Sequence, residues 1–334
     1  GDGSAVAIWL DDGLTRVLGT DFFGETKKAL TRMWAERVFD AGGLVLHAAC
    51  AVLPTRHGPL TMVVVGAPDS GKSSLLMHSR PGVQVVQDDF VGLLPGGHVV
   101  PAENGCIEKT HSIDPVRQPL LHHAVTRPDT FLENVPQRGM DLHLDDPDGP
   151  RHARAVFPLR TVGGRADMPL PPLGLLLILE PADDVAPALV RLPVAQAPGY
   201  FLLRERRHGL AEPTGRHGNR LAALLATCAP QVLVLNTQAC RDRPDQVRGG
   251  IAADVIAAAL DGRIEWEADP GTGVEVARRL PAVTDADLLL PRQRYGGSGR
   301  PREYDELLTA RQAERRDYLS GFVGLDPAIV AAVT

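Results

Sequence analysis

Apolar runs separated by polar, glycine-rich or proline-rich breaks dominate the pattern of this 334-residue chain. Short apolar runs bounded by turn residues are typical of buried strands. Five of them are predicted to be core strands, at residues 44–53, 61–66, 83–87, 173–179 and 231–236. Two shorter runs, 5–9 and 15–18, flank an Asp-Asp-Gly turn and are predicted to pair as a hairpin.

Helical spacing appears first at residues 25–40, where Leu30, Met33, Trp34 and Val38 recur on one face and Gly42-Gly43 ends the helix. Further helices are predicted at 72–78, 217–228, 249–260 and 303–319. Turn residues punctuate 95–170, which favours a β-rich stretch, and the Pro/Gly segment 291–302 is predicted to be a loop or linker. Strands mixed with helices predict an α/β fold with a mixed sheet.

The amino-acid composition limits the classes of function that this protein can have. The chain is 44% hydrophobic and 23% charged, as in ordinary globular proteins, and its length suits one large α/β body or two lobes. A net charge of −6 argues against a nucleic-acid surface. No apolar run approaches the ~20 residues of a membrane span, and no signal peptide is apparent. Four cysteines without CxxC spacing favour neither zinc nor disulfides, so a cytoplasmic location is expected.

Residues 66–73, GAPDSGKS, match the phosphate-binding pattern G-x-x-x-x-G-K-[ST]. A predicted strand precedes the motif and a predicted helix follows it, so its backbone N–H groups are expected to cradle phosphates at the helix start. Lys72 would reach the β- and γ-phosphates, and the Ser73 hydroxyl would bind Mg²⁺. A glycine-rich turn that matches by chance is the alternative. Asp69 is an unexpected acid in a loop built for anions, and would face either solvent or a cation.

The segment VQVVQDD at 83–89 is an apolar strand that ends in two acids, the usual second half of a phosphoryl-transfer site. On a strand, Asp88 and Asp89 would point to opposite sides, so that one holds metal and the other faces the substrate. Taken alone, the pair could equally be a solvated turn. The phosphate-binding loop one strand earlier favours the functional interpretation.

Lysine is rare here: there are four lysines against 31 arginines. Unlike arginine, lysine can lose its proton and act as a base or a metal ligand. Lys27 and Lys28 lie at a predicted helix start, the end that disfavours positive charge, although a solvated helix start would explain them too. His47 on the strand LVLHAACAV is either a core histidine or a ligand.

Seven segments occur together in the order and near the separations of the motifs of ATP-dependent phosphoenolpyruvate carboxykinase. They are FFGETKK (22–28), LHAACAV (46–52), the loop at 66–73, QDD (87–89), ENGCIEKT (103–110), FLENV (131–135) and ARAVFPL (153–159). The chain resembles the C-terminal, nucleotide-binding part of that family, and the family's N-terminal domain is not found in the sequence. HPr kinases are a more distant resemblance, through the LHAA strand and the loop.

The resemblance implies a P-loop-containing mixed-sheet fold like the family's mononucleotide-binding lobe, and it implies roles for individual residues. Lys28, His47 and Asp89 match the ligands of a catalytic Mn²⁺, and Ser73 the hydroxyl on Mg²⁺. Asp88, Lys72, Arg154 and Lys27 match the catalytic set, in which Arg154 bridges the transferring phosphoryl group and the substrate. The expected nucleotide-binding residues are Gly66, Pro68, Asp69, Ser70, Gly71, Lys72, Ser73, Ser74 and Lys109.

Departures from the family pattern fall on substrate and base recognition. Phe22 stands where the family has a tyrosine whose hydroxyl meets the carboxylic substrate, and Asp69 stands where the family prefers glycine. The adenine-contacting stretch aligns poorly at 243–254. The basic run RERRH at 204–208 could clamp an anionic substrate, or could be a solvated helix end.

These observations predict a kinase that uses ATP, Mg²⁺ and a second ion such as Mn²⁺ to phosphorylate a hydroxyl, or less readily a carboxylate, of a small molecule. The alternatives are a true carboxykinase acting on oxaloacetate, an HPr-kinase-like protein-serine kinase and a nucleotide-binding module without turnover. The expected partners are a nucleotide and a small-molecule acceptor, with no nucleic acid and no membrane. A single catalytic unit is expected, as monomer or homodimer, with parts at 1–60, 61–240 and 241–334.

Overall fold

The strand Leu44–Leu53 has ten residues and is buried along its whole length. It lies inside the largest sheet of the molecule, with neighbours on both sides. The computed structural model describes residues 7–11, 14–18, 23–67, 70–77, 82–110, 113, 115–116, 119–133, 135, 137–138, 141–142, 153–165, 169–181, 186–204, 214–238, 245–281 and 290–333. A strand covered on both faces needs apolar side chains on both, which explains the nearly continuous run LVLHAACAVL.

In chain order the strands are β1 Ala7–Asp11, β2 Leu14–Leu18, β3 Leu44–Leu53, β4 Leu60–Gly66, β5 Gln84–Gln87, β6 Phe90–Leu94, β7 His98–Pro101, β8 Gly105–Lys109, β9 Phe131–Glu133, β10 Gln137–Arg138, β11 Asp141–Leu142, β12 Arg154–Pro158, β13 Leu173–Glu180, β14 Leu189–Leu192, β15 Gln231–Asn236, β16 Trp266–Ala268 and β17 Glu275–Ala277. The helices are α1 Phe23–Asp40, α2 Lys72–Met77, α3 Pro119–Val125, α4 Ala197–Arg204, α5 Gly215–Cys228, α6 Asp245–Leu260, α7 Pro291–Gly297, α8 Pro301–Ser320 and α9 Pro327–Ala332.

The main sheet has ten strands, in the order β16-β17-β14-β15-β13-β4-β3-β6-β7, with β5 also paired to β3. Strand β13 runs parallel to both β4 and β15, whereas β3 is antiparallel to β4, β5 and β6. The sheet is therefore mixed, which confirms the predicted fold class. A smaller antiparallel sheet, β8-β12-β9, lies beyond it, and β1 pairs with β2 as the predicted hairpin.

Two apolar clusters cover the two faces of the main sheet. One includes Leu75 and Leu76 of α2 and Val255 and Ile256 of α6. The other includes residues of α4, α5, α8 and α9. Among the helices described, none has the length and apolar character needed to cross a membrane.

The prediction of a loop or linker at 291–302 was wrong. Helix α7 begins at Pro291, and α8 begins at Pro301. Proline is favoured in the first helical turn because its fixed φ suits the helix and its missing N–H has no intrahelical partner there. Tyr295 and Tyr304 pack together with ring centroids 5.4 Å apart, which fastens the two helices to each other. The sequence pattern also did not predict helix α3, which lies inside the stretch 95–170 that was predicted to be β-rich. Strands β6, β14, β16 and β17 were not predicted either.

Candidate active site

The junction between β5 and β6 places two adjacent carboxylates beside strand β3 of the main sheet. Asp88 and Asp89 lie in a bend between the two strands rather than on a strand, and the Ala48 backbone N–H donates to the Asp89 carbonyl at 2.9 Å. The bend lets the two side chains meet different partners, as the sequence predicted, although the predicted cause, strand alternation, was wrong.

Asp89 faces helix α1. Lys27 Nζ donates to Asp89 Oδ2 at 2.5 Å and lies 2.9 Å from Glu103 Oε1. Burial works against the ammonium, but the two carboxylates outweigh it and raise the pKa of Lys27. Burial also works against the Asp89 carboxylate, yet a hydrogen bond from His47 and the charge of Lys27 hold its pKa at about 2. Asp89 is therefore an anion at any ordinary pH.

His47 contacts the other oxygen of the Asp89 carboxylate. Its Nε2 lies 3.4 Å from Asp89 Oδ1, and its ring centroid lies 5.4 Å from that of Phe90, its neighbour across the β3–β6 ladder. The structure thus brings together His47 and Asp89, two of the three predicted metal ligands. The lysine that contacts Asp89 is Lys27, which the resemblance assigned to the catalytic set. Lys28 follows it on α1, and its role as a ligand stays a prediction.

Asp88 faces the phosphate-binding loop and the small sheet. Its side chain is 8% exposed and accepts a hydrogen bond from Ser73. Glu108 on β8 also donates to it, because burial and the nearby Asp88 carboxylate raise the pKa of Glu108 well above its ordinary value. Burial is the largest cause of a raised pKa at Asp88 as well, offset in part by Ser73, Glu108 and Lys72.

The strand predicted before the phosphate-binding motif is present as β4, and the helix predicted after it is present as α2. The Lys72 ammonium is folded back onto the loop, where it donates to the carbonyls of Gly66 (2.9 Å) and Ala67 (3.3 Å). Gly71 has φ +99°, a conformation that strongly favours glycine. At Gly66 a Cβ would come within 2.5 Å of Ser70 Oγ, so the tight turn needs glycine there as well.

Arg154 and Lys109 oppose each other across the β8–β12 ladder, and Arg154 also pairs in register with Glu133 of β9. The Arg154 guanidinium donates to the Ala153 carbonyl at 3.0 Å, and its charge lowers the pKa of Glu108 in opposition to the burial of that acid. Arg154 therefore lies on the same side of the site as Asp88. Lys109 is exposed.

Several predicted residues lie outside the part of the chain that the structure describes. They are Phe22, Pro68, Asp69, residues 205–208 of the basic run and residues 243–244 of the predicted adenine-contacting stretch, together with the side chains of Ser74 and residues 245–251. Their roles stay predictions.

Two acids that belong to the site were missed as functional residues. Glu103 and Glu108 both lie in the segment ENGCIEKT, of which only the lysine was assigned a role. The signal was strand alternation: Glu108 stands two residues after Cys106, which is fully buried, so both face inward. Glu103 lies just before β8, within reach of Lys27.

The donor set fits the divalent ions that the family implies. Asp89 and His47 offer carboxylate and imidazole, ligands suited to Mn²⁺, and Ser73 and Asp88 offer the oxygen donors that Mg²⁺ prefers. Asp88 Oδ1 is buried without a hydrogen-bond partner among the described residues, as expected of an oxygen that awaits a cation.

Comparison with known proteins agrees with this geometry. A family model described as phosphoenolpyruvate carboxykinase matches residues 2–206. A phosphoenolpyruvate carboxykinase (ATP) of Aeropyrum pernix is 26% identical, over 91% of this chain and 66% of its own length. Enzymes of the same name from a Ruegeria species and from Rhizobium etli are 23% and 24% identical, each over 87% of this chain and over 60% and 59% of their own lengths.

The chain spans about three fifths to two thirds of the length of these relatives. All three carry the carboxykinase name, which fits the carboxykinase alternative better than the prediction of a small-molecule hydroxyl kinase. The family match covers the hairpin, α1, the P-loop, both acids of the junction and Arg154. The chain belongs to the phosphoenolpyruvate carboxykinase family.

Proposed function

We propose that this chain catalyses ATP-dependent phosphoryl transfer of the carboxykinase type, with oxaloacetate as substrate and phosphoenolpyruvate, CO₂ and ADP as products. The observation that carries the proposal is the meeting of the P-loop with the Asp88–Asp89 junction, through the hydrogen bond from Ser73 to Asp88. Phosphoryl transfer needs a cradle for phosphates and an acidic partner for cations in one place.

The reaction balances without an outside oxidant. The bond between the carboxylate carbon and its neighbour breaks, CO₂ leaves, and the electron pair forms an enolate. The enolate oxygen attacks the γ-phosphorus, and the bond from that phosphorus to the β,γ-bridging oxygen breaks to leave ADP. Divalent cations would supply Lewis-acid stabilisation of the phosphate and enolate charges.

The chain's own residues supply positioning and charge. Lys72 is already at the loop, where it donates to the backbone carbonyls of Gly66 and Ala67, so it needs only to turn its side chain to reach bound phosphates. Arg154 adds a second cation beside Asp88 and Glu108. Preorganised cations of this kind stabilise the transition state more than the ground state because the charge on the transferring group shifts as it moves.

For the metals, His47 and Asp89 would hold one ion, with Lys28 as the third ligand that the resemblance implies. Ser73 would hold the ion that accompanies the nucleotide. Lys27 already neutralises Asp89 and Glu103, so an ion at Asp89 requires Lys27 to move aside or to share the carboxylate.

A second candidate function is the transfer of phosphate to a small-molecule hydroxyl. Phe22, which replaces the family's tyrosine at the substrate carboxylate, favours it. The part of the site that handles phosphate is common to both reactions, so the acceptor decides between them.

The test is an acceptor screen with purified protein, ATP, Mg²⁺ and Mn²⁺. Oxaloacetate is compared with a panel of hydroxyl-bearing metabolites, and both ADP and the phosphorylated product are measured. Formation of phosphoenolpyruvate from oxaloacetate, with no phosphorylated product from the other acceptors, supports the carboxykinase. A phosphorylated alcohol without phosphoenolpyruvate supports the second candidate. Release of ADP without any phosphorylated acceptor argues against both. A single catalytic unit, a cytoplasmic location and a monomer or homodimer accompany this proposal as predictions from the sequence.

A further inference from the structure

A cavity of about 50 Å³ lies at the carboxyl ends of the parallel strands β13 and β15. Glu180 ends β13 and Asn236 ends β15, and the two residues are paired in register across the ladder. Tyr200 of α4 and the arginines Arg311 and Arg315 of α8 also line the cavity. The crevice outside the carboxyl ends of parallel strands is a common place for ligands in α/β sheets.

This cavity lies on the face of the main sheet opposite the helix that follows the phosphate-binding loop. Val190 and Val234, which line it, belong to the apolar cluster that includes residues of α4, α5, α8 and α9. Leu75 and Leu76 of α2 belong to the cluster on the other face. The cavity is therefore separate from the site that the P-loop and the β5–β6 junction form.

One side of the cavity is positively charged. Arg204 of α4 is bonded to Glu180, and Arg315 donates to the same carboxylate oxygen at 3.0 Å. Arg311 lies 3.8 Å from that oxygen, so three guanidiniums share one carboxylate and leave two positive charges in excess within this group. Arg315 also donates to the Tyr200 hydroxyl at 2.9 Å, and its guanidinium carries more N–H donors than these two contacts use. Arg204 Nε is buried without a hydrogen-bond partner among the described residues, as expected where donors outnumber acceptors.

The other acid that lines the cavity, Asp269, does not offset this excess, because both of its oxygens are engaged elsewhere. Its Oδ2 accepts from the Thr272 backbone N–H at 2.9 Å and hydroxyl at 2.7 Å, and its Oδ1 accepts from Arg292 at 3.4 Å. Six apolar residues also line the cavity: Ala186, Pro187, Val190, Val234, Val274 and Leu308. The cavity thus offers cations to an anion and an apolar surface to a hydrocarbon chain.

We propose that this cavity binds a short-chain monocarboxylate, whose carboxylate pairs with Arg311 and Arg315 and whose hydrocarbon chain lies against the apolar residues. The planar guanidinium matches a carboxylate. A phosphate or sulfate ion would instead place some of its oxygens against apolar side chains, where they find no hydrogen bonds. A cavity of 50 Å³ has room for about three to five water molecules, and an acid of about two to four carbons takes up a similar space. This inference does not rest on the proposed function.

The test is a titration of the purified protein with acetate, propionate, butyrate and hexanoate, followed by ligand-observed proton NMR with and without ATP and Mg²⁺. From acetate to butyrate we expect the affinity to rise a few fold with each added methylene, because each buries more apolar surface. Hexanoate should bind no more tightly than butyrate, since the cavity is then full. ATP and Mg²⁺ should not displace butyrate, and inorganic phosphate should bind more weakly than butyrate does.

Arg311→Met should weaken the binding of butyrate at least tenfold, because it removes a guanidinium and keeps an apolar stem. Arg316→Met is the matched control, since Arg316 is an exposed arginine of the same helix, and it should leave the affinity unchanged. Thermal unfolding shows whether each variant is folded. The chain-length series uses the wild type alone, so it tests the inference even if Arg311→Met does not fold.

Four results would overturn the inference. They are a wild-type protein that binds none of the acids, tighter binding of inorganic phosphate than of butyrate, displacement of butyrate by ATP and Mg²⁺, and unchanged binding of butyrate by a folded Arg311→Met. ATP-dependent transfer, measured on the same preparation, reports separately on the proposed function, because neither the cavity nor Arg311 belongs to the site of phosphoryl transfer.

Discussion

Lys27 Nζ lies 2.5 Å from Asp89 Oδ2, so a lysine of helix α1 holds the carboxylate that the sequence assigned to a metal. The same ammonium lies 2.9 Å from Glu103. The ion pair between Lys27 and Asp89 connects α1 to the junction of β5 and β6 and keeps the Asp89 carboxylate ionised. It also means that a metal at Asp89 competes with a cation of the protein itself.

The first prediction concerns acid stability. Because the pKa of Asp89 is about 2, below its ordinary value of 3.8, its ionisation favours the folded state above about pH 4. That contribution is lost as the pH falls from about 4 to about 2. In Lys27→Met the pKa of Asp89 should move back towards its ordinary value, so the free energy of unfolding should fall less steeply over this range than in the wild type.

Urea unfolding at pH 4, 3 and 2 measures this slope. Arg37→Met is the matched control, since Arg37 lies exposed in the last turn of the same helix. The control should keep the slope of the wild type. Equal slopes for Lys27→Met and the wild type would show that Lys27 does not set the pKa of Asp89.

The second prediction is that Lys72→Met weakens the binding of ATP at least tenfold, about 1.4 kcal/mol, in the presence of Mg²⁺. Lys72 is buried on the loop carbonyls and its ammonium is expected to move to the phosphates. Titration calorimetry measures the affinity. Arg263→Met removes an exposed cation paired with Asp261 and should leave the affinity unchanged. Unaltered ATP binding by Lys72→Met would show that this loop does not bind the phosphates of the nucleotide.

The third prediction separates binding from transfer. Asp88→Asn keeps the size of the side chain and its bond from Ser73 but removes the charge. ATP affinity should change by no more than a few fold, while the transfer rate should fall about 10²-fold or more, as for other losses of a positioned acid or base. Single-turnover kinetics with saturating ATP measure the rate. A normal rate would show that Asp88 plays no part in the chemistry.

The fourth prediction concerns the tail helix α8. Buried Glu180, at the end of β13, is bonded to Arg204 of α4 and accepts from Arg315 of α8 at 3.0 Å, with Arg311 at 3.8 Å. Glu180→Gln would leave these guanidiniums without their buried counter-charge. The free energy of unfolding should therefore drop by about 3–5 kcal/mol.

The exposed pair Arg191–Glu275 is the control for that variant. Both partners are more than a third exposed, so Glu275→Gln should cost less than about 1 kcal/mol. Chemical unfolding of the two variants side by side measures the difference. Similar losses in both would show that burial of Glu180 is not what makes it important to stability.

The sequence predicted the central sheet well because its strands are buried on both faces. Strand β3 spans Leu44–Leu53 as predicted, and β15 matches residues 231–236. Such strands show continuous apolar runs with clear breaks. The P-loop was predicted for a related reason, since its chemistry requires glycine at Gly66 and Gly71 and a lysine at one fixed position.

Structural features that no local sequence pattern specifies were not predicted. Helix α7 contains Gly296 and Gly297, and its sequence alone suggests a loop, but the packing of Tyr295 on Tyr304 orders it. Glu108 was assigned no role because its partner, Asp88, lies 20 residues away and only the fold brings the two together. Contacts between distant segments decide both cases, and no local pattern encodes them.

The reverse reaction is the sharpest test of the carboxykinase assignment. Purified protein is mixed with phosphoenolpyruvate, ADP, bicarbonate buffer, Mg²⁺ and Mn²⁺, and ATP is read by luciferase, with Lys72→Met measured in parallel. We expect ATP formation that requires both phosphoenolpyruvate and bicarbonate and that Lys72→Met abolishes. No ATP from the wild type, in a preparation that binds ATP and Mg²⁺ by calorimetry, would contradict the carboxykinase assignment.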